Sequence, residues 1–159
     1  MTAVTDLVSQ LKRDEGEVLH AYRDSRGILT AGVGHNCEAH SEPLAEGAQI
    51  TQQQCDQWLQ QDIDAAEHNL AVKLPWSADL DSVRLGVLVN MTFNLGIGGL
   101  LGFHNTLAMI QAGNYDGASE AMLESKWADQ VGKEPPSEEH PDGGRAWRLS
   151  QQIKTGAWV

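Results

Sequence analysis

Between Thr51 and Pro75 the chain carries one long helical stripe, and any fold it adopts has to be arranged around that stripe. Trp58, Leu59, Ile63, Ala66, Leu70 and Leu74 recur at the three-and-four spacing of a single helix face. Thr51 followed by Gln54 resembles a capping box, and Pro75 cannot continue a helix, so the pattern predicts a helix over residues 51–73. At about 1.5 Å per residue it would reach about 33 Å, enough to connect two small lobes.

The two sides of this helix differ in period. On the amino-terminal side, Val4, Leu7, Val8 and Leu11 predict a first helix over about residues 3–14, which Gly16 can end with a left-handed cap. From Glu17 to Gly34 the pattern becomes a short strand, a turn at Asp24-Ser25-Arg26-Gly27 and a return strand with β-branched residues, which is a small hairpin. Residues 35–49 show no period and read as loop with room for one more short strand. After Pro75 helices dominate, over about residues 81–94, 105–112, 115–124 and 143–155, with a break at Gly96-Ile97-Gly98-Gly99. The long irregular stretch there is Asp129 to Asp142.

With 159 residues, 41% of them hydrophobic, the chain can bury one core or two small lobes as a single domain. The net charge of −11 argues against a nucleic-acid partner, which would need clustered Lys and Arg. Residues 35–125 hold most of the acids, with only Lys73 and Arg84 as bases, so the excess reads as a solvated helical face. No window of about 18 apolar residues is apparent, and the start of the chain lacks a basic region followed by an apolar one. The expectation is no membrane anchor, no export signal and a cytoplasmic site of synthesis. Cys37 and Cys55 lack the companions a metal site needs and are expected to be free thiols.

Chemistry concentrates between Arg13 and His35. Glu15 ends a helix, Asp24 sits at a hairpin turn and Thr30 lies on the return strand, so the three can converge. Glycosidic bonds require a protonated carboxyl for the leaving oxygen and an ionised carboxylate to manage water or developing positive charge. Acids at helix ends and turns are usually solvated or capping residues, so this placement alone is weak.

The spacing adds specificity. Glu15, after eight residues Asp24, and after five more Thr30, resemble the Glu, Asp, Thr triad of phage-type lysozymes, the endolysins of glycoside hydrolase family 24. The likeness extends through Glu15-Gly16, Ala21-Tyr22, Gly27, Gly32-Val33-Gly34-His35, Ile50-Thr51, Gln61 to Ala66, Asn90-Met91, Phe93-Asn94, Gly102-Phe103, Asn105 and Arg145 to Trp158. It implies a bilobal α+β fold: a hairpin-bearing small lobe over about 15–60, the connecting helix, and an all-α lobe over about 75–159 that also takes the amino-terminal helix. The implied site is a cleft between lobes, and the implied reaction is β-1,4 cleavage between N-acetylmuramic acid and N-acetylglucosamine of peptidoglycan.

Carried over, Glu15 becomes the general acid, while Asp24 and Thr30 position or activate water for an inverting displacement, with no metal or organic cofactor. Phe93 and Thr106 become candidate sugar contacts. Arg145 is expected to orient Glu15, and His35 is expected to pair with Asp62 on the connecting helix. The resemblance also implies a monomer released to the periplasm and cell wall by a separate pore-forming holin. Gln130 to Gly144 departs from the family's compact pattern, a polar, proline-rich insertion that puts the presentation of Arg145 in doubt. A lytic transglycosylase and a silent glycan-binding module remain alternatives that an intact triad disfavours.

Overall fold

A computed structural model of the chain describes residues 4–159. Its helices are α1 (Leu7–Glu15), α2 (Gln52–Lys73), α3 (Ser82–Leu101), α4 (His104–Gln111), α5 (Tyr115–Leu123), α6 (Lys126–Val131) and α7 (Arg145–Thr155). Its strands are β1 (Val18–Arg23), β2 (Leu29–Gly32) and β3 (His35–Asn36). The architecture is α+β, and the chain divides into two compact units, residues 8–65 and residues 66–159 with the segment up to Leu7. From Val8 onward α1 therefore falls in the same unit as the sheet.

In the unit of residues 8–65, β1, β2 and β3 form an antiparallel sheet in that order, with Tyr22 opposite Thr30 and Ala31 opposite His35. A bulge between Val18 and Tyr22 shifts the register of β1. The other edge of β1 is covered by the following segment, as Ala21 donates to Ala48 O at 2.8 Å and accepts from Gly47 N at 2.7 Å. This is the extra pairing expected within residues 35–49, in addition to β3. Ala21, Leu29, Ala31, Cys37 and Trp58 make the core, with Leu44 and Ile50 against it. Of the expected first helix, residue 3 lies outside the described residues and helical structure begins only at Leu7. Its buried face is Gln10 and Leu11, while Val8 is 39% exposed, so the real stripe is rotated from the apolar pattern.

The helix α2 starts as its sequence dictates, with Thr51 Oγ1 accepting from Gln54 N at 3.0 Å. All six stripe residues from Trp58 to Leu74 are buried. Each fully buried Leu or Ile of this kind contributes about 1.5–3 kcal/mol.

Both cysteines are free and fully buried. Burial, reinforced by the Glu17 carboxylate that accepts from its thiol at 3.4 Å, pushes Cys55 up to about 11, and burial likewise raises Cys37. Since the thiolate is the reactive form, the shift at Cys55 alone should slow alkylation of the native protein about a hundredfold. Under denaturing conditions without reductant both thiols should label at once, and protection of the pair would reveal a disulfide instead.

The helical unit is packed around α3, whose residues Gly86 to Thr92 are all buried. Among the described residues α3 is the one helix long and apolar enough to cross a membrane, contrary to the expectation of no such apolar window. Its buried stretch lies in the core with Leu70, Leu107, Ile110, Met122, Leu149 and Ile153. The helix does not end at Gly96: that residue adopts φ +73°, kinks the chain, and helical structure resumes to Leu101. The sequence pattern also passed over a short 3-10 turn at Pro75–Asp79 and over α6, which Ser125 caps by accepting from Ala128 N at 3.1 Å.

The insertion before α7 is a closed loop. Gly132 O accepts from Ala146 N at 2.8 Å and Trp147 N at 3.3 Å, and Glu134 O accepts from Gly144 N at 2.8 Å. The N-cap residue of α7 is Gly144, which has no side chain to offer, so the Gly132 carbonyl satisfies two of the orphan amides at the helix start.

Candidate active site

Glu15 is the last residue of α1, and Gly16 at φ +78° turns the chain out of the helix with its amide on Lys12 O at 3.0 Å. The half-buried Glu15 side chain lies over the β2–β3 turn. A Cβ at Gly34 would meet Glu15 Oε2 at 3.3 Å and its Cβ at 3.5 Å. Gly34 is also at φ +63°, so both its backbone and its neighbour require glycine. Gly32 plays the corresponding part towards α2, a Cβ there meeting Cys55 Sγ at 3.3 Å.

Asp24 is fixed by its own turn. Its Oδ1 accepts from Ile28 N at 2.9 Å and Arg26 N at 2.8 Å, while its backbone amide donates to Ile28 O at 3.0 Å. The Ile28 amide, then that of Arg26 and the nearby Arg26 guanidinium, hold the carboxyl below the usual carboxylate range. Thr30 is buried, and its hydroxyl donates to Ile28 O at 2.9 Å. The backbone of one residue, Ile28, thus orders both Asp24 and Thr30 through its amide and its carbonyl.

Tyr22 joins this group although the sequence reading used it only as part of a motif. It stands opposite Thr30 in the sheet, and its phenol is pushed up by burial and then by the charges of Asp24 and Glu15. The charges of both carboxylates therefore act on one ring. The available signal was the position of Tyr22, two residues before Asp24 on the same strand-turn segment and facing the return strand.

His35 and Asp62 come together as expected, Nδ1 to Oδ2 at 2.8 Å across 27 residues of sequence. His35 is 1% exposed and stacks on Trp58 with ring centroids 4.4 Å apart. Removing either partner breaks a short hydrogen bond to a charged group at a buried histidine, so His35→Asn and Asp62→Asn should each destabilise by about 1.5–3 kcal/mol. A double-mutant cycle read by chemical denaturation should show coupling of about 1–3 kcal/mol, and additive effects would mean the pair carries none.

The remaining candidates lie in the helical unit. Arg145 opens α7, is buried, and places Nε and Nη2 on Asn90 Oδ1 at 2.9 and 2.8 Å, a contact the sequence did not announce. Thr106 is in the first turn of α4 and 4% exposed. It is not the helix cap, because Phe103 occupies that position. It lines a pocket of about 350 Å³ with Phe103, Asn105, Glu124 and Ser125. Phe93 is partly buried and packs on the helical core. Trp127 donates to Asn94 Oδ1 at 2.6 Å and meets Phe103 edge-on.

Comparison with known proteins gives the family. The phage lysozyme family pattern matches residues 12–137, a span that contains Glu15, Asp24, Thr30, His35 and Asp62 and stops inside the loop before α7. The endolysin of Salmonella phage P22 is 35% identical over 130 residues, 80% of this chain and 84% of that protein. The probable T4-type lysozyme 1 of Dictyostelium discoideum is 25% identical over 154 residues, 80% of this chain and 88% of its own. The SAR-endolysin of Escherichia phage N15 is 28% identical over 156 residues, 93% of this chain and 74% of its own. The chain belongs to the phage lysozyme family, the peptidoglycan-hydrolysing muramidases of glycoside hydrolase family 24.

Proposed function

We propose that this enzyme hydrolyses the β-1,4 bonds between N-acetylmuramic acid and N-acetylglucosamine by an inverting displacement, with Glu15 as general acid and Asp24 and Thr30 handling the water. The observation that carries the assignment is the contrast between the two carboxyl groups. Glu15 is half-buried against the Gly34 turn, whereas Asp24 accepts two backbone amides and stays ionised. A carboxyl placed to donate to the leaving oxygen and a carboxylate placed to manage water are the pair glycoside hydrolysis needs.

Thr30 completes the scheme. Its hydroxyl proton is given to Ile28 O, so its oxygen is left to accept from a water whose second proton goes to Asp24. The water's lone pair is then free to attack the anomeric carbon while Glu15 protonates the departing oxygen. Both proton transfers fall to side chains, and the scheme calls for no metal or organic cofactor. Phe93 and Thr106 are the proposed sugar contacts of the helical unit, Thr106 through the pocket it shares with Asn105 and Ser125. His35, Asp62 and Arg145 are proposed to support the framework. Action as a monomer, delivered to the periplasm and wall by a separate pore-forming partner, belongs to the same proposal.

The test is digestion of purified sacculi combined with clearing of outer-membrane-permeabilised cells. Hydrolysis should release reducing-end muropeptides, and proton NMR should show the α anomer first. Anhydro sugars would indicate a transglycosylase, an initial β anomer a retaining path, and binding without clearing a silent module.

A further inference from the structure

We propose that His35, His40 and Asp62 form a binding site for a divalent transition-metal ion of the zinc type, separate from the catalytic residues. The three come from β3, the segment after it and α2, and each offers one ligand atom within 4.8 Å of the others. Asp62 divides its carboxylate between the rings, Oδ2 at 2.8 Å from His35 Nδ1 and Oδ1 at 3.6 Å from His40 Nε2. Ligands about 2.0–2.2 Å from a tetrahedral zinc ion stand about 3.3–3.5 Å from one another, and since imidazole binds metal in its ring plane while the His35 and His40 rings are stacked at 21°, a rotation of His40 out of the stack is needed. The His40 side chain is 49% exposed and can supply it.

The state of His35 points the same way. Its ring is clamped between Trp58 at 4.4 Å and His40 at 4.5 Å, and its Nε2 is buried with no hydrogen-bond partner among the described residues. A neutral imidazole that donates from Nδ1 to Asp62 leaves Nε2 bare in that interior, which costs free energy. A metal on Nδ1 moves the proton to Nε2, where Glu42 Oε1 is 3.6 Å away. An imidazole ligand backed by a carboxylate on its other nitrogen is the usual arrangement at such centres. Two imidazoles with one carboxylate suit zinc, cobalt, nickel or copper rather than magnesium or calcium, and a fourth position is left to water.

A second cluster, Glu17, Cys55 and Asp56, is the weaker candidate because the Lys12 ammonium already sits 3.1 Å from Glu17 and 3.5 Å from Asp56. Bound metal at the histidine site would tie the segment around His40 to α2.

The experiment is a calorimetric titration of the untagged chain with Zn²⁺, repeated on His40→Ala and accompanied by Co²⁺ absorption and thermal unfolding. The wild-type protein should bind one ion, and His40→Ala should bind at least about tenfold more weakly. Zinc should raise the unfolding midpoint of the wild type and not of the variant, while metal-free hydrolytic activity is the same in both. No binding by the wild type at millimolar zinc, or equal affinity in the two proteins, would overturn the site.

Discussion

Glu15→Gln should reduce hydrolysis of sacculi by about 10²–10⁴-fold while the protein remains folded, the loss expected when a general acid is removed. The substitution preserves the size and planarity of the side chain, so its packing over Gly34, where a Cβ would meet Oε2 at 3.3 Å, is kept. What disappears is the transferable proton. No other group described at the site can replace it. Asp24 is held as a carboxylate by Ile28 N and Arg26 N, and the Tyr22 phenol is pushed further towards its neutral, less acidic form by burial and by the two acids. The decisive measurement is the initial rate of reducing-end release alongside a thermal melt. A folded Glu15→Gln protein with near-normal rate would sink the proton-donor assignment. Lost activity with a lost melt would leave Glu15 a stability residue, and the two results are distinguishable in one preparation.

The elements that sequence revealed best are those whose signal is local and periodic. The α2 stripe is buried at all its predicted positions because helical spacing and apolar character coincide over its 22 residues. Thr51 and Gly16 mark helix ends for reasons of backbone chemistry that need no tertiary information. The proposed triad was legible only through the joint spacing of Glu15, Asp24 and Thr30. Its physical basis, the Ile28 amide and carbonyl ordering two of the three residues, is a matter of turn geometry.

The misses have equally definite causes. Over six residues α6 cannot show a period, and Gly96 breaks helical dihedrals without ending the helix because α3 resumes and buries Leu100. In α1 the buried face includes the polar Gln10 and leaves Val8 exposed, which an apolar pattern cannot anticipate. Arg145 on Asn90 joins residues 55 apart, and composition carries no trace of such a contact. The insertion before α7 is the largest case. It read as a polar, proline-rich insertion, yet its order comes from backbone bonds that sequence composition does not encode.

That loop leads to the second large effect: Gly144→Ala should destabilise the protein by about 3 kcal/mol or more, although Gly144 touches no catalytic residue described here. At this position a Cβ would come within 2.7 Å of Gly132 Cα and closer still to its carbonyl carbon and oxygen. These are backbone atoms and cannot swing aside as a flexible side chain would. The carbonyl in question is also the one that caps α7 by accepting from Ala146 and Trp147, so relieving the clash breaks the cap. A lost cap costs about 1 kcal/mol by itself, and the remainder comes from forcing apart the Gly144 to Glu134 closure. Arg145 follows directly in the chain, so its bidentate hold on Asn90 should loosen as well. The expected result is a lower denaturation midpoint with faster hydrogen exchange at the amides of Ala146 and Trp147. Gly27→Ala provides the comparison, because a Cβ there meets nothing within 4 Å and only the φ of +78° is strained. Its cost should be near 1 kcal/mol, the penalty of a left-handed backbone alone. If Gly144→Ala proves no more costly than Gly27→Ala, the contact between Gly132 and Gly144 does not constrain the start of α7.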